Sequence, residues 1–216
     1  MTASAQLYVT LEIGGSSAAI ENLALGAVIA AAHVTSILLR PKAGTSLDPE
    51  TTKSLIERAQ KKGLAALVAD DANLARTVKA DGLHISWSKE PAKRYSEARE
   101  ILGPRAMIGV DAGRSRHDAM LLGEAGADYV AFGIPGHVED RATAEERQRD
   151  LIAWWSEIFE VPCVAFDVVS ADHAHDLSRD GADFIAVTVS SNMSPQKILS
   201  HIVDCANAIT VIEVNA

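Results

Sequence analysis

Apolar residues recur along this chain in eight short, β-branched runs, each followed by a stretch with helical spacing. The runs cover residues 6–13, 34–40, 64–70, 82–86, 106–111, 128–133, 161–168 and 183–189. Several show little alternation, as parallel strands covered on both faces do. Between and after them, residues 18–32, 49–62, 72–79, 91–102, 115–125, 143–159, 171–179 and 195–209 read as helices. A polar loop over residues 134–142 is the longest excursion between a strand and its helix.

The punctuation agrees with this reading. Gly14-Gly15 closes the first strand, and Ser16-Ser17 can cap the helix behind it. Asp48-Pro49 opens the second helix with proline at its first position, and Gly63 ends it. Ala80-Asp81-Gly82, Gly126-Ala127-Asp128 and Gly181-Ala182-Asp183 each close a helix before the next strand, the glycine serving as a left-handed cap. Eight strand–helix units with no linker predict one α/β domain over residues 1–216, a TIM (β/α)8 barrel near the lower end of its size range. A doubly wound sheet is the alternative, but no glycine-rich phosphate fingerprint follows the first strand.

Composition narrows the partners. A formal net charge of −9 argues against a nucleic-acid surface, which needs a basic stripe. A local basic pocket for an anionic small molecule stays compatible with it. The apolar run 23–32 is too short to cross a bilayer, and the first seven residues lack the pattern of a secretory signal. The expected location is therefore cytoplasmic, away from membranes. Cys163 and Cys205 read as buried, reduced thiols. Whether the chain forms a homo-oligomer is open at this point.

In a closed parallel barrel the strand ends converge on one rim, where such barrels do chemistry. Arg40 and Lys42 follow the second strand and suit a phosphate or pyrophosphate clamp, or else are solvated loop charges. Asp70 and Asp71 end the third; a carboxylate there suits Mg²⁺ held together with substrate phosphates, while Asp71 also suits a helix cap. His84 lies in the fourth strand, facing either the interior or the helices. Asp111, Arg114 and His117 follow the fifth, with Ser115 or Asp118 as competing caps. The loop from Gly133 through His137 to Arg141 suits a lid. Asp167 ends the seventh strand, and Thr188, Ser190 and Ser191 sit at the eighth, where these barrels often build a phosphate cup.

Four segments resemble the family of thiamine-phosphate synthase and its relative, the thiazole tautomerase. They are Ile37-Leu38-Leu39-Arg40-Pro41-Lys42, residues 68–75, Ala80-Asp81-Gly82-Leu83-His84-Ile85, and residues 126–133. The resemblance implies a Mg²⁺-dependent transferase. It would join a hydroxymethylpyrimidine pyrophosphate to a thiazole phosphate, with Arg40 and Lys42 on pyrophosphate and Asp70 on the metal. The chain departs from the family pattern at Leu38, Ala69, Asp111 and Phe166-Asp167-Val168, and at Ser86-Trp87-Ser88-Lys89, where a second metal carboxylate is expected. Pro135-Gly136-His137-Val138 replaces the family's Thr-x-Thr-Lys. Two alternatives follow: a catalytically silent or repurposed barrel that binds a phosphorylated ligand, or a tautomerase-like isomerase using His117.

Overall fold

The structure, a computed structural model, describes residues 5–214 other than 32, 135, 137 and 169, with side chains up to residue 209. Eight strands alternate with eight helices. They are β1 (Gln6–Ile13), α1 (Ala18–Ala30), β2 (Val34–Pro41), α2 (Pro49–Gln60), β3 (Ala65–Ala69), α3 (Ala72–Val78), β4 (Gly82–Ile85) and α4 (Pro91–Leu102). Then come β5 (Met107–Asp111), α5 (Arg116–Glu124), β6 (Tyr129–Phe132), α6 (Arg141–Ile158), β7 (Cys163–Val168), α7 (Ala171–Arg179), β8 (Phe184–Ser190) and α8 (Pro195–Val214). Neighbouring strands pair in parallel from β1 to β8, and β8 pairs with β1, closing the barrel. The predicted TIM barrel is the observed fold.

Helix starts follow local chemistry. Asp48, Asp71, Ser115, Asp140 and Ser170 each accept a hydrogen bond from the backbone N–H three residues on. That bond satisfies one of the orphan donors of a helix N-terminus. The Asp140 cap starts α6 earlier than the expected residue 143, because its carboxylate catches Thr143 N at 3.1 Å. Ser17 stands at the start of α1 without a capping bond. There the Glu21 carboxylate, buried beneath the turn, accepts from Gly14 N at 2.8 Å.

The three similar turns at the barrel's bottom share a device that the sequence pattern hides. Asp81, Asp128 and Asp183 each accept a hydrogen bond, at 2.8 Å, from the backbone of the preceding strand: Ala66 N, Ile108 N and Cys163 N. Gly126 and Gly181 adopt the expected left-handed backbone, but in the first turn Lys79 does so instead. Gly82 is required there for a different reason: a Cβ on it would lie 2.3 Å from Met107 O.

Two apolar layers result. The larger lies between strands and helices and holds Leu11, Ile37, Leu83, Phe132 and Trp155 among others. The smaller fills the barrel, with Tyr8, Leu38, Leu67, Tyr129 and Phe166 interleaved with Ala69, Ala131 and Ala186. Large rings and small side chains alternate so that the layers interdigitate. Gly109 makes this possible, since a Cβ on it would fall within 2.2 Å of the Tyr129 ring. Cys163 and Cys205 are buried free thiols, as expected.

Candidate active site

Strand alternation sends Glu12, Arg40, His84 and Asp111 toward the barrel axis. Register pairs Glu12 with Arg40, and Arg40 Nη2 donates to Glu12 Oε1 at 2.8 Å. The guanidinium is therefore held at the mouth by an acid the sequence reading passed over. Arg40, His84, Trp87, Asp111, Phe166 and Asp167 line a cavity of about 230 Å³ at this rim.

His84 faces the interior and is 3% exposed. Its Nδ1 lies 3.0 Å from Tyr129 Oη, which lies 3.1 Å from Tyr8 Oη, so two tyrosines fix the ring from below. The imidazole stacks on Phe166, with ring centroids 4.5 Å apart. Burial pushes its pKa down to about 4, against the attraction of Asp70 and with help from Arg40 and Arg94, so the ring is neutral near pH 7.

Asp111 and Asp167 flank Gly133. Asp111 Oδ1 accepts from Gly113 N at 2.7 Å and Gly133 N at 3.2 Å, while Asp167 Oδ2 accepts from Ile134 N at 2.7 Å. A Cβ on Gly133 would meet Asp111 Oδ2 at 2.7 Å and Asp167 Oδ2 at 3.1 Å, so only glycine admits both carboxyls. Withdrawal from water pushes Asp111 up to about 7; the Asp167 charge adds to this, and the Gly113 and Gly133 amides oppose it. An irregularity in β7 between Ala165 and Val168 lets the consecutive residues Phe166 and Asp167 both line the cavity.

The remaining candidates divide. Lys42 turns aside, its Nζ donating to Asn192 Oδ1 at 2.7 Å and Ser16 Oγ at 3.3 Å. Buried Ser191 joins that cluster, its Oγ 3.4 Å from Ser16 Oγ. Thr188 and Ser190 pair in register with Thr10 and Glu12 on β1. Arg114 and His117 are exposed to solvent and are absent from the cavity wall. His137 lies outside the described residues.

Asp70 and Asp71, the residues expected at a metal, are held by different partners. Asp71 caps α3, its Oδ1 accepting from Leu74 N at 2.8 Å. Asp70 adopts a left-handed backbone (φ 61°) and lines a separate cavity beside α3 and α4. Its Oδ1 accepts from Ser86 N at 2.9 Å and Arg94 Nη2 at 2.8 Å, and its Oδ2 from Ser86 Oγ at 2.7 Å. Burial raises its pKa, but these bonds outweigh burial and hold the carboxyl below the usual range. Both oxygens thus have protein partners, with Oδ2 accepting a single bond. Among the described residues no group of three or more His, Cys, Asp or Glu is placed to hold a metal ion. Mg²⁺ is commonly held by one or two carboxylates together with waters and substrate phosphates, and Asp70 is the carboxylate that would serve once its bond to Arg94 opened.

Trp87, Arg94, Glu12 and Phe166 escaped the sequence reading as site residues. Trp87 carried a signal: it is a large aromatic in the polar stretch just beyond a strand's carboxyl end.

Residues 13–190 match the model of the thiamine monophosphate synthase family. A thiamine-phosphate synthase of Erythrobacter litoralis is 46% identical over 127 residues, a stretch covering 58% of each chain. One from Hyphomonas neptunium is 37% identical over 165 residues, covering 74% of this chain and 73% of that one. In fold, the chain is similar to a thiamine phosphate pyrophosphorylase from Pyrococcus furiosus, with a TM-score of 0.72 and 21% identity over 95% of this chain and 96% of that one.

Proposed function

Because the chain belongs to the thiamine monophosphate synthase family, we propose that it is a transferase of thiamine biosynthesis. It couples a hydroxymethylpyrimidine pyrophosphate to a thiazole phosphate at the carboxyl rim of the barrel. The observation that carries this reading is the cavity holding Arg40 beside the aromatic walls of Trp87 and Phe166. One cation beside two aromatic rings in a largely polar cavity matches a substrate made of a ring and a phosphorylated arm.

The C–O bond to pyrophosphate breaks with its electron pair leaving on oxygen, and a pyrimidinyl-methyl cation forms. The thiazole nitrogen then donates its lone pair to that carbon, and a C–N bond closes. Arg40 holds the departing anion by charge-assisted hydrogen bonds, after exchanging its bond to Glu12 for one to phosphate. The Trp87 and Phe166 rings line the cavity around the cation, and the Asp111 and Asp167 carboxyls line it as well. Lys42 and Ser191, tied together through Ser16, shape the neighbouring loops for the second phosphate. Mg²⁺, where bound with the pyrophosphate, would neutralise the departing charge, and Asp70 is the carboxylate that would hold it in exchange for Arg94. A cytoplasmic location and phosphorylated small-molecule partners belong to the same reading. Among the described residues no helix is long and apolar enough to cross a membrane.

The silent-barrel alternative draws on Arg40 and Asp70 being already ion-paired. The tautomerase alternative is weaker, since His117 stands in solvent. A coupling assay with both purified substrates, followed by chromatography of the condensed product, decides. Product is expected; its absence with and without added Mg²⁺ rejects the transferase.

A further inference from the structure

Gln148 is a polar residue, 1% exposed, on the otherwise apolar buried face of α6 formed by Ala144, Leu151, Ile152 and Trp155. Its Nε2 donates to Phe132 O and to Phe166 O, each at 2.6 Å, at the carboxyl ends of β6 and β7. Each carbonyl belongs to a planar peptide unit whose other end serves the rim. The 132–133 unit carries Gly133 N–H, which donates to Asp111 Oδ1 at 3.2 Å. The 166–167 unit leads into Asp167, whose backbone is left-handed with φ 58°. That conformation is uncommon for a residue other than glycine and persists where its surroundings hold it. Asp167 Oδ2 then accepts from Ile134 N at 2.7 Å, closing a circuit from β7 back to the loop after β6. Gln148 Oε1 is buried without a hydrogen-bond partner among the described residues, a cost that an apolar side chain of equal length would avoid. The two carbonyls are what the amide serves.

We propose that Gln148 is a positioning residue: its amide pins the ends of β6 and β7 so that Gly133 N–H, Phe166 and Asp167 take their places around the rim cavity. Gln148 itself is absent from the cavity wall, so it acts through those residues. The strand ladder does not supply this restraint. Pairing of β6 with β7 runs only to Phe132 and Ala165, and the β7–β8 register shifts between Ala165 and Val168. Two bonds from one buried amide replace the missing ladder and fix how far apart the two strand ends lie. The consequence for coupling rests on the transferase reading, whereas the pinning of the strand ends does not.

The test compares the full wild-type chain with two variants. Gln148→Met keeps the length and packing of the side chain but has no donor. Ile152→Val loosens the same helix without touching the strand ends. Backbone amide exchange is followed by NMR at Ile134 and at Ile108, whose N–H is bonded to Asp128 at the other end of the barrel. Gln148→Met is expected to speed exchange at Ile134 at least tenfold more than at Ile108, and Ile152→Val to change both alike. The Asp111 carboxyl, held up to about 7 by burial and by the Asp167 charge, is expected to titrate lower in Gln148→Met and unchanged in Ile152→Val. Where Gln148→Met does not fold, the wild-type chain decides: both Nε2 protons of Gln148 are expected as separate signals protected from exchange. Equal acceleration at Ile134 and Ile108, an unshifted Asp111 titration, or unprotected Nε2 protons overturns the proposal. None of these readouts needs substrate, so they separate the two readings. Selective loss at Ile134 in a chain without coupling activity leaves the pinning standing and removes the transferase; coupling with equal acceleration at both amides does the reverse.

Discussion

Arg94 Nη2 donates to Asp70 Oδ1 at 2.8 Å, bringing a guanidinium from α4 onto the carboxylate that the sequence marks for a metal. Arg94 Nη1 also donates to Ser86 O at 3.1 Å, so one arginine ties the end of β3 to the loop after β4. Arg94 therefore competes with a cation for Asp70, and Mg²⁺ titrated into the protein alone should bind more weakly than with pyrophosphate present. Arg94→Gln should lower stability by less than about 1 kcal/mol, since the pair is partly exposed. Equal Mg²⁺ affinity with and without pyrophosphate would contradict this.

Asp111 and His84 oppose each other in their effect on stability. The Asp111 pKa is raised to about 7, so the folded chain holds its proton more tightly than the unfolded one, and this contribution is lost as pH rises from about 4 through 7. The His84 pKa is lowered to about 4, so its contribution is lost as pH falls from about 6.5 through 4. Relative to wild type, Asp111→Asn should gain stability as pH rises across that window. His84→Gln should gain as pH falls. Melting midpoints measured from pH 4 to 7.5 check both signs, and parallel curves for all three proteins would refute them.

Tyr129 joins the two interior hydroxyls to the imidazole. Tyr129→Phe leaves His84 Nδ1 buried and unpaired, which costs about 1–3 kcal/mol. Denaturant midpoints should fall accordingly, with aromatic packing kept. Gly109→Ala, which drives a methyl into the same ring, should cost at least as much, about 1–3 kcal/mol or more.

The barrel was legible because its signals are local. Apolar runs mark strands, and Asp48-Pro49 or Ser115 mark helix starts, through bonds spanning three residues. The site was only half legible. Arg40, His84 and Asp111 sit at strand ends, and alternation takes them to the cavity. Whether a charge is available depends on partners distant in the chain: Glu12 for Arg40, Arg94 for Asp70, Asn192 for Lys42. No local pattern encodes those pairings. The irregularity that brings Phe166 and Asp167 to one cavity is likewise a property of the β7–β8 register and of no single residue.

Titration of hydroxymethylpyrimidine pyrophosphate into wild-type protein and Arg40→Met, with Mg²⁺ present, probes the rim cavity most directly. Wild type should bind, and Arg40→Met should bind at least tenfold more weakly with its fold intact, a loss of about 1.4 kcal/mol or more. Equal affinity in the two proteins, or no binding to wild type, would contradict the account.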